Sequence, residues 1–214
     1  MKEDQGTERS GRGADPGGAG DLSSSVASLP ASSPQRGLAR VLIRPARPDD
    51  LEETTRLERR IWGRLSATLN ELQRRLFALP EAFLLAELQR SGQAPRIVGL
   101  TNGLLWTRDF PRSFPDYEKM LPSSSHNPRG DILYIASLGV HPDLRGRGIG
   151  RHLLNETIEF GRRRHLKVAR LIANHRSREL FTQAGFEVVR SLPRLYRQHR
   201  DLMPKPVLME LPLA

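Results

Sequence analysis

The spacing of apolar residues divides the chain near residue 38. Residues 1–37 are dominated by Gly, Ser, Pro and charge, with hardly any large apolar side chain. Such a segment cannot offset the entropy lost on ordering, so a disordered N-terminal tail is expected. From 38 to 214 apolar positions recur with strand and helix periods, which predicts a single folded domain. Val41 to Arg44 reads as a short strand, and "RPDD" then places a proline and acids at a helix start. Leu51, Leu57, Ile61 and Trp62 mark the apolar face of that helix. A second helix lies in "SATLNELQRRLFALP", with Ser66 or Thr68 as cap, Leu69, Leu72, Leu76 and Leu79 on one face, and Pro80 at its end. "EAFLLAEL" and "PRIVGLTNGLLW" form a hairpin about the turn residues "QRSGQA". "DILYIASLGV" predicts a strand, "GIGRHLLNETIEFGRRRH" a helix and "KVARLIA" a strand. "SRELFTQAG" is a short helix ended by Gly185, and "FEVVRSL" and "PVLMELPL" are two last strands.

Two features interrupt this alternation. The segment from Thr107 to Gly130 is long and polar for a connection, which makes it a candidate substrate lid. The other is "RGRGIG" at 145–150, three glycines and two arginines between a strand and an amphipathic helix. The first N–H groups of a helix are unpaired and carry partial positive charge, so such a turn is a ready anion site. Gly146, Gly148 and Gly150 clear the approach of Cβ atoms, while Arg145, Arg147 and Arg151 add charge. Ile149, Leu153, Leu154 and Ile158 anchor the helix in a core. The loop is neither a P-loop, since no Lys-Ser/Thr follows, nor a dinucleotide fingerprint, since the glycines run Gly146-x-Gly148-x-Gly150.

Composition narrows the chemistry. With no cysteine among 214 residues, disulfides, thiolate metal sites and a cysteine nucleophile are excluded. No apolar run approaches the ~20 residues of a bilayer span, and no secretory core opens the chain, so a cytoplasmic protein is expected. The net charge is +10, yet the first 37 residues carry four basic and five acidic side chains, so the excess lies in the folded part. An anionic partner such as a phosphorylated cofactor fits that excess. Nucleic acid is not expected, because the basic residues lack the aromatic interleaving of stacking platforms. A homodimer is left open, and no metal is called for.

"LGVHPDLRGRGIGRHLL" closely resembles the cofactor-binding motif of the GNAT family of N-acetyltransferases, Arg/Gln-x-x-Gly-x-Gly/Ala after a strand ending in Val-x-Pro; Arg145, Gly148 and Gly150 match it. The order of elements from Val41 to Ala214 is also similar to that family's. The resemblance implies an α/β fold with a mixed, mostly antiparallel central sheet flanked by helices, and transfer of an acetyl group from acetyl-CoA to a primary amine, either a small amine or a peptide N-terminus. It implies that residues 145–151 bind the pyrophosphate, Ile149 included, and that Leu138, Gly139 and Val140 bind the pantetheine arm through their backbone. "NHRSRELFTQAGF" resembles a second family motif and brings in Asn174 as a cofactor contact, but Phe181 stands where the family usually has a tyrosine.

In the implied reaction a neutral amine attacks the thioester directly, which needs a base, an oxyanion donor and an acid for the thiolate. Backbone N–H groups near Leu138 to Val140 are the expected donors. Phe181 leaves the acid's place without a hydroxyl. A thiol of pKa ~8.5 makes that loss worth only about 2 kcal/mol at neutral pH, so water or another phenol could serve. Tyr134, in a strand resembling that of some protein N-terminal acetyltransferases, is the expected base, and Tyr196 the second candidate. The chain shows no obvious carboxylate or histidine base, which favours an α-amine of pKa ~7.8 over a lysine near ~10.4. A non-catalytic acyl-CoA binder or sensor of the same fold is the alternative that Phe181 motivates.

Overall fold

The computed structural model describes residues 25–28, 39–108 and 120–213. Among the described residues, eight strands form one sheet: β1 (Ser25–Ser28), β2 (Ala39–Pro45), β3 (Phe83–Arg90), β4 (Arg96–Trp106), β5 (Ile132–Val140), β6 (Val168–Ala173), β7 (Glu187–Ser191) and β8 (Val207–Pro212). Their order is β1-β2-β3-β4-β5-β6-β8-β7. Of these eight strands, only β5 and β6 pair in parallel; every other pair among the described residues is antiparallel. Helices α1 (Leu51–Trp62), α2 (Leu69–Ala78), α3 (Ile149–Arg163) and α4 (Arg178–Gln183) flank it. This is the mixed, mostly antiparallel α/β architecture that the sequence implies. One difference is β1, which pairs with β2 from inside the segment expected to be a tail. The rest of that segment, 1–24 and 29–38, lies outside the described residues, as do 109–119 of the expected lid.

Alternation along the central strands explains the layering. On β3, Leu84, Ala86 and Leu88 pack with Ile149 and Leu153 of α3, while Phe83 and Leu85 pack with Leu57, Leu72 and Leu76 of α1 and α2. A strand covered on both faces must be apolar on both, and β3 is so from Phe83 to Ala86, with Glu87, Gln89 and Arg90 toward its less buried end. Thr68 caps α2, its hydroxyl accepting from the Glu71 N–H at 3.2 Å.

The pairing of β5 creates the functional feature of the fold. Against β4, Asn102 faces Ser137 and Gly103 faces Ile135, so Ala136 is an extra residue, a β-bulge. Against β6, the ladder runs only from Ile132 to Ile135. Past the bulge β5 stays bound to β4 but parts from β6. Every second residue from Ala136 to Val140 therefore turns its N–H and C=O toward an open edge.

Candidate active site

A cleft of about 1000 Å³ opens where β5 and β6 part. Its wall includes Tyr134, Leu138, Gly139, Val140, Arg145, Gly146, Gly148, Ile149, Gly150, Arg151, Asn174 and Tyr196, so these expected site residues meet in one place. Arg147, expected beside them, is not on the wall. On the side toward α1, Gly139 admits the ring of Trp62: a Cβ there would lie 2.5 Å from Trp62 Cη2.

The glycine loop forms an anion cradle for reasons visible in its backbone. Gly146 and Gly148 have φ of +74° and +80°, the left-handed region where a side chain is strained. Gly148 begins α3, and the first amide bonded back into the helix is that of His152, to Gly148 O at 3.0 Å. The N–H groups of Ile149, Gly150 and Arg151 come before it and have no intrahelical acceptor. Gly150 is the informative position. A Cβ there would make only ordinary contacts, 3.5 Å to Val140 and 3.8 Å to Leu180, so the protein's own packing does not demand glycine. A helical glycine costs roughly 1 kcal/mol against alanine, and here it leaves space on the cleft wall beside unpaired donors. The cradle fits a phosphate group. Arg145 steadies its entrance by donating from Nε to Val140 O at 3.3 Å, and Arg151 donates to Gln183.

Asn174 is placed on the wall but its amide is engaged elsewhere. Oδ1 accepts from the N–H groups of Arg176 and Ser177 at 2.9 and 3.0 Å, and Nδ2 reaches toward Leu202 O at 3.4 Å. It therefore ties the start of α4 to the β7–β8 connection. Tyr134 is almost wholly buried, its ring stacked on Trp106 with centroids 3.6 Å apart and planes at 12°. Tyr196, at φ +52°, comes from the β7–β8 connection. Phe181 sits in the core and meets Phe186 edge to face at 5.9 Å. Two histidines hold local structure: Nδ1 of His126 accepts from Leu105 N–H of β4 and Nδ1 of His141 from Asp143 N–H.

The structure corrects one expectation, that the site lacks a carboxylate. Glu58 of α1 is 1% exposed, yet it borders the cleft. Its Oε1 accepts from Ser137 Oγ at 3.0 Å and its Oε2 from Ala67 N–H at 3.3 Å. Burial pushes its pKa up to about 6, against the pull of Arg75, the Ser137 hydroxyl and the Ala67 amide. A carboxyl poised there is ionised at neutral pH yet basic enough to take a proton. Behind it, Arg75 donates to Ser137 Oγ at 3.1 Å, to Asn102 Oδ1 at 3.2 Å and to Glu71 Oε1 at 2.9 Å. Glu71 accepts from the N–H and hydroxyl of Ser123, at 2.8 and 2.6 Å. Met120, Leu121 and Pro122 join the cleft wall, so the described end of the expected lid does border the site.

Among the described residues no group of three or more His, Asp or Glu side chains could hold a metal ion. No helix there is long and apolar enough to cross a membrane.

A sequence model of the acetyltransferase (GNAT) family matches residues 49–186. The chain belongs to the GNAT family. Among its relatives, an uncharacterized N-acetyltransferase of Methanocaldococcus jannaschii is 35% identical over 60 residues, 27% of this chain and 26% of that protein. The chain thus matches about a quarter of that relative's length. Of solved GNAT-fold structures, the GphF GNAT-like decarboxylase in complex with isobutyryl-CoA superposes with a TM-score of 0.64 at 21% identity, over 80% of this chain and 99% of that one. Naa50 of Arabidopsis thaliana, bound to the bisubstrate analogue CoA-Ac-MVNAL, gives 0.58 at 18% identity, over 80% and 97%. At such identities the likeness is one of GNAT fold alone.

Proposed function

We propose that this GNAT protein moves an acetyl group from acetyl-CoA to a primary amine, a peptide N-terminus or a small amine of low pKa, by direct attack in a ternary complex. The observation that carries the proposal is one cleft holding both an anion cradle and a buried carboxylate of pKa about 6. Acetyl-CoA, when bound, supplies the acetyl thioester. The cradle from Arg145 to Arg151, without Arg147, holds the pyrophosphate. The open edge of Leu138 to Val140 holds the pantetheine arm and offers N–H donors to the negative charge that develops on the carbonyl oxygen. Glu58 takes the proton of the attacking ammonium. Tyr134, expected from the sequence as the base, yields that role to Glu58; fixed by its stack on Trp106, it is the phenol that replaces the missing hydroxyl at Phe181 and protonates the thiolate, and the second proton that the nitrogen loses as the amide forms restores the phenol. Tyr196 contacts the acceptor, and Asn174 holds the acceptor-side loop.

The acceptor class follows from the match of acid and base. Transfer from an α-ammonium of pKa ~7.8 to Glu58 is uphill by roughly 2.5 kcal/mol, whereas from a lysine near ~10.4 it is uphill by about 6. A weak carboxylate base thus supports the same preference that the sequence suggested, on a different footing.

The test is acetyl transfer followed by mass spectrometry, with peptides bearing free N-termini, N-blocked lysine peptides and small amines. Turnover should be greatest on free N-termini. Tight binding of acetyl-CoA without turnover across the panel would make the protein an acyl-CoA binder.

A further inference from the structure

Along the cleft wall a chain of polar groups leads to Glu58, and the reaction assigns no step to its other members. It runs from Ser123 through Glu71, Arg75 and Ser137 to Glu58, and joins the β4–β5 connection, α2, β5 and α1. We infer that Arg75 and Glu71 are positioning residues for Glu58, which they orient and keep ionised through the Ser137 hydroxyl. The inference rests on Glu58 being the base.

The direction of the bonds argues for it. A guanidinium only donates, so Ser137 Oγ must accept from Arg75 at 3.1 Å. Its single hydrogen is then left for Glu58 Oε1 at 3.0 Å. Arg75 thereby fixes the hydroxyl rotor, and the rotor fixes one oxygen of the base. Arg75 is itself held at Nε by Glu71, and Glu71 by two bonds from Ser123. A buried ion pair is weak as a source of stability, since an apolar pair of similar volume often does as well. Its placement beside a carboxylate on the same cleft wall is what needs explaining.

Charge gives the second argument. The groups that meet Glu58 or its partners are Arg75 and Glu71 from α2, Ser137 from β5, Asn102 from β4 and the Ala67 amide; Tyr134 of β5 borders the same cleft. Arg75 is the only cation in this chain of contacts. A glutamate buried without a cation can titrate as high as roughly 8–9, where it would be protonated and useless as a base at neutral pH. Arg75 opposes that burial.

The test is the pH dependence of kcat at saturating acetyl-CoA and peptide. In the wild type kcat should rise through a limb near 6, and Glu58→Gln should lack that limb. Replacing the pair together, Glu71→Gln with Arg75→Met, avoids stranding a buried charge; the limb should move up by about one pH unit while the high-pH plateau stays within about tenfold of wild type. Arg75→Lys, which keeps the charge, should hold the limb near its original position. Ser137→Ala leaves the ion pair alone and breaks the chain in its middle, and it too should raise the limb, so the question remains answerable if the double variant does not fold. A limb unmoved in Ser137→Ala and in the double variant, with Glu58→Gln lacking it, would make Arg75 and Glu71 purely structural. A limb that persists in Glu58→Gln would instead refute the base itself.

Discussion

Glu58→Gln separates catalysis from stability, because the structure predicts opposite signs for the two. Glu58 has its pKa raised from 4.5 to about 6, a difference worth roughly 2 kcal/mol. For an acid raised in the folded state, ionisation opposes folding. The penalty is full above pH 6, where Glu58 is ionised in both states, and is relieved as pH falls from 6 toward 4.5. Glutamine keeps the shape and removes the charge, but it retains a single acceptor oxygen where Glu58 uses two, which returns about 1 kcal/mol. The net expectation at pH 8 is a melting temperature equal to or slightly above wild type. Catalysis should move the other way, since loss of a general base typically costs 10²–10⁴-fold, so kcat at pH 8 should fall by at least about a hundredfold. Thermal melts at pH 8 and 5.5 and steady-state assays of the same preparations suffice. A variant that keeps wild-type kcat would refute the assignment. One that loses both activity and several degrees of stability at pH 8 would show that Glu58 is a structural carboxylate.

Other predictions follow from contacts at the cleft. Gly139→Ala places a methyl 2.5 Å from Trp62 Cη2 and 3.0 Å from Ile61 Cδ1, overpacking that should cost about 1–3 kcal/mol by denaturant titration. Arg64 bridges the α1–α2 connection to the β7–β8 connection, donating to Asp201 at 2.7 Å and to His199 Nδ1 at 3.2 Å. Both members of the ion pair are 59% exposed, so Arg64→Ala should change stability by less than about 1 kcal/mol while raising the KM of a peptide acceptor severalfold and leaving that of acetyl-CoA unchanged. Tyr134→Phe preserves the stack on Trp106 and removes only the hydroxyl. It should slow kcat by about 10–100-fold, and an acyl donor with a more acidic thiol should recover most of the loss.

The elements of this fold were largely legible, because their signals are local. The two leucine-rich helices, the hairpin of β3 and β4, the β5–loop–α3 unit and the closing strands all fall where periodicity places them. The anion cradle was legible for the same reason, its glycines and helix start being contiguous. The base was not. Glu58 lies seven residues after Leu51 and three before Ile61, on the apolar face of α1, and that position for a charged side chain is the one signal that pointed to it. Its partners come from three other elements, so only the folded chain shows that its charge is compensated. Glu71 was masked differently. Thr68-x-x-Glu71 has the spacing of a capping box, which would turn the carboxylate back to the helix start, whereas here it turns to Arg75 and Ser123. The Ala136 bulge has no sequence mark beyond a small residue in an apolar strand, yet it parts β5 from β6 and opens the cleft.

The central claim is that the cradle at the start of α3 holds the pyrophosphate of acetyl-CoA, and calorimetric titration of wild type, Gly148→Asp and Gly148→Asn tests it most directly. Position 148 is left-handed and a Cβ there meets nothing within 4 Å, and Asp and Asn have the same shape and both tolerate that backbone, so the pair differs in charge and in the donor the amide carries. The account predicts micromolar binding by wild type, a loss of at least about a hundredfold in Gly148→Asp, and a loss of less than about tenfold in Gly148→Asn. Equal binding by the Asp and Asn variants, or none by folded wild type, would contradict it.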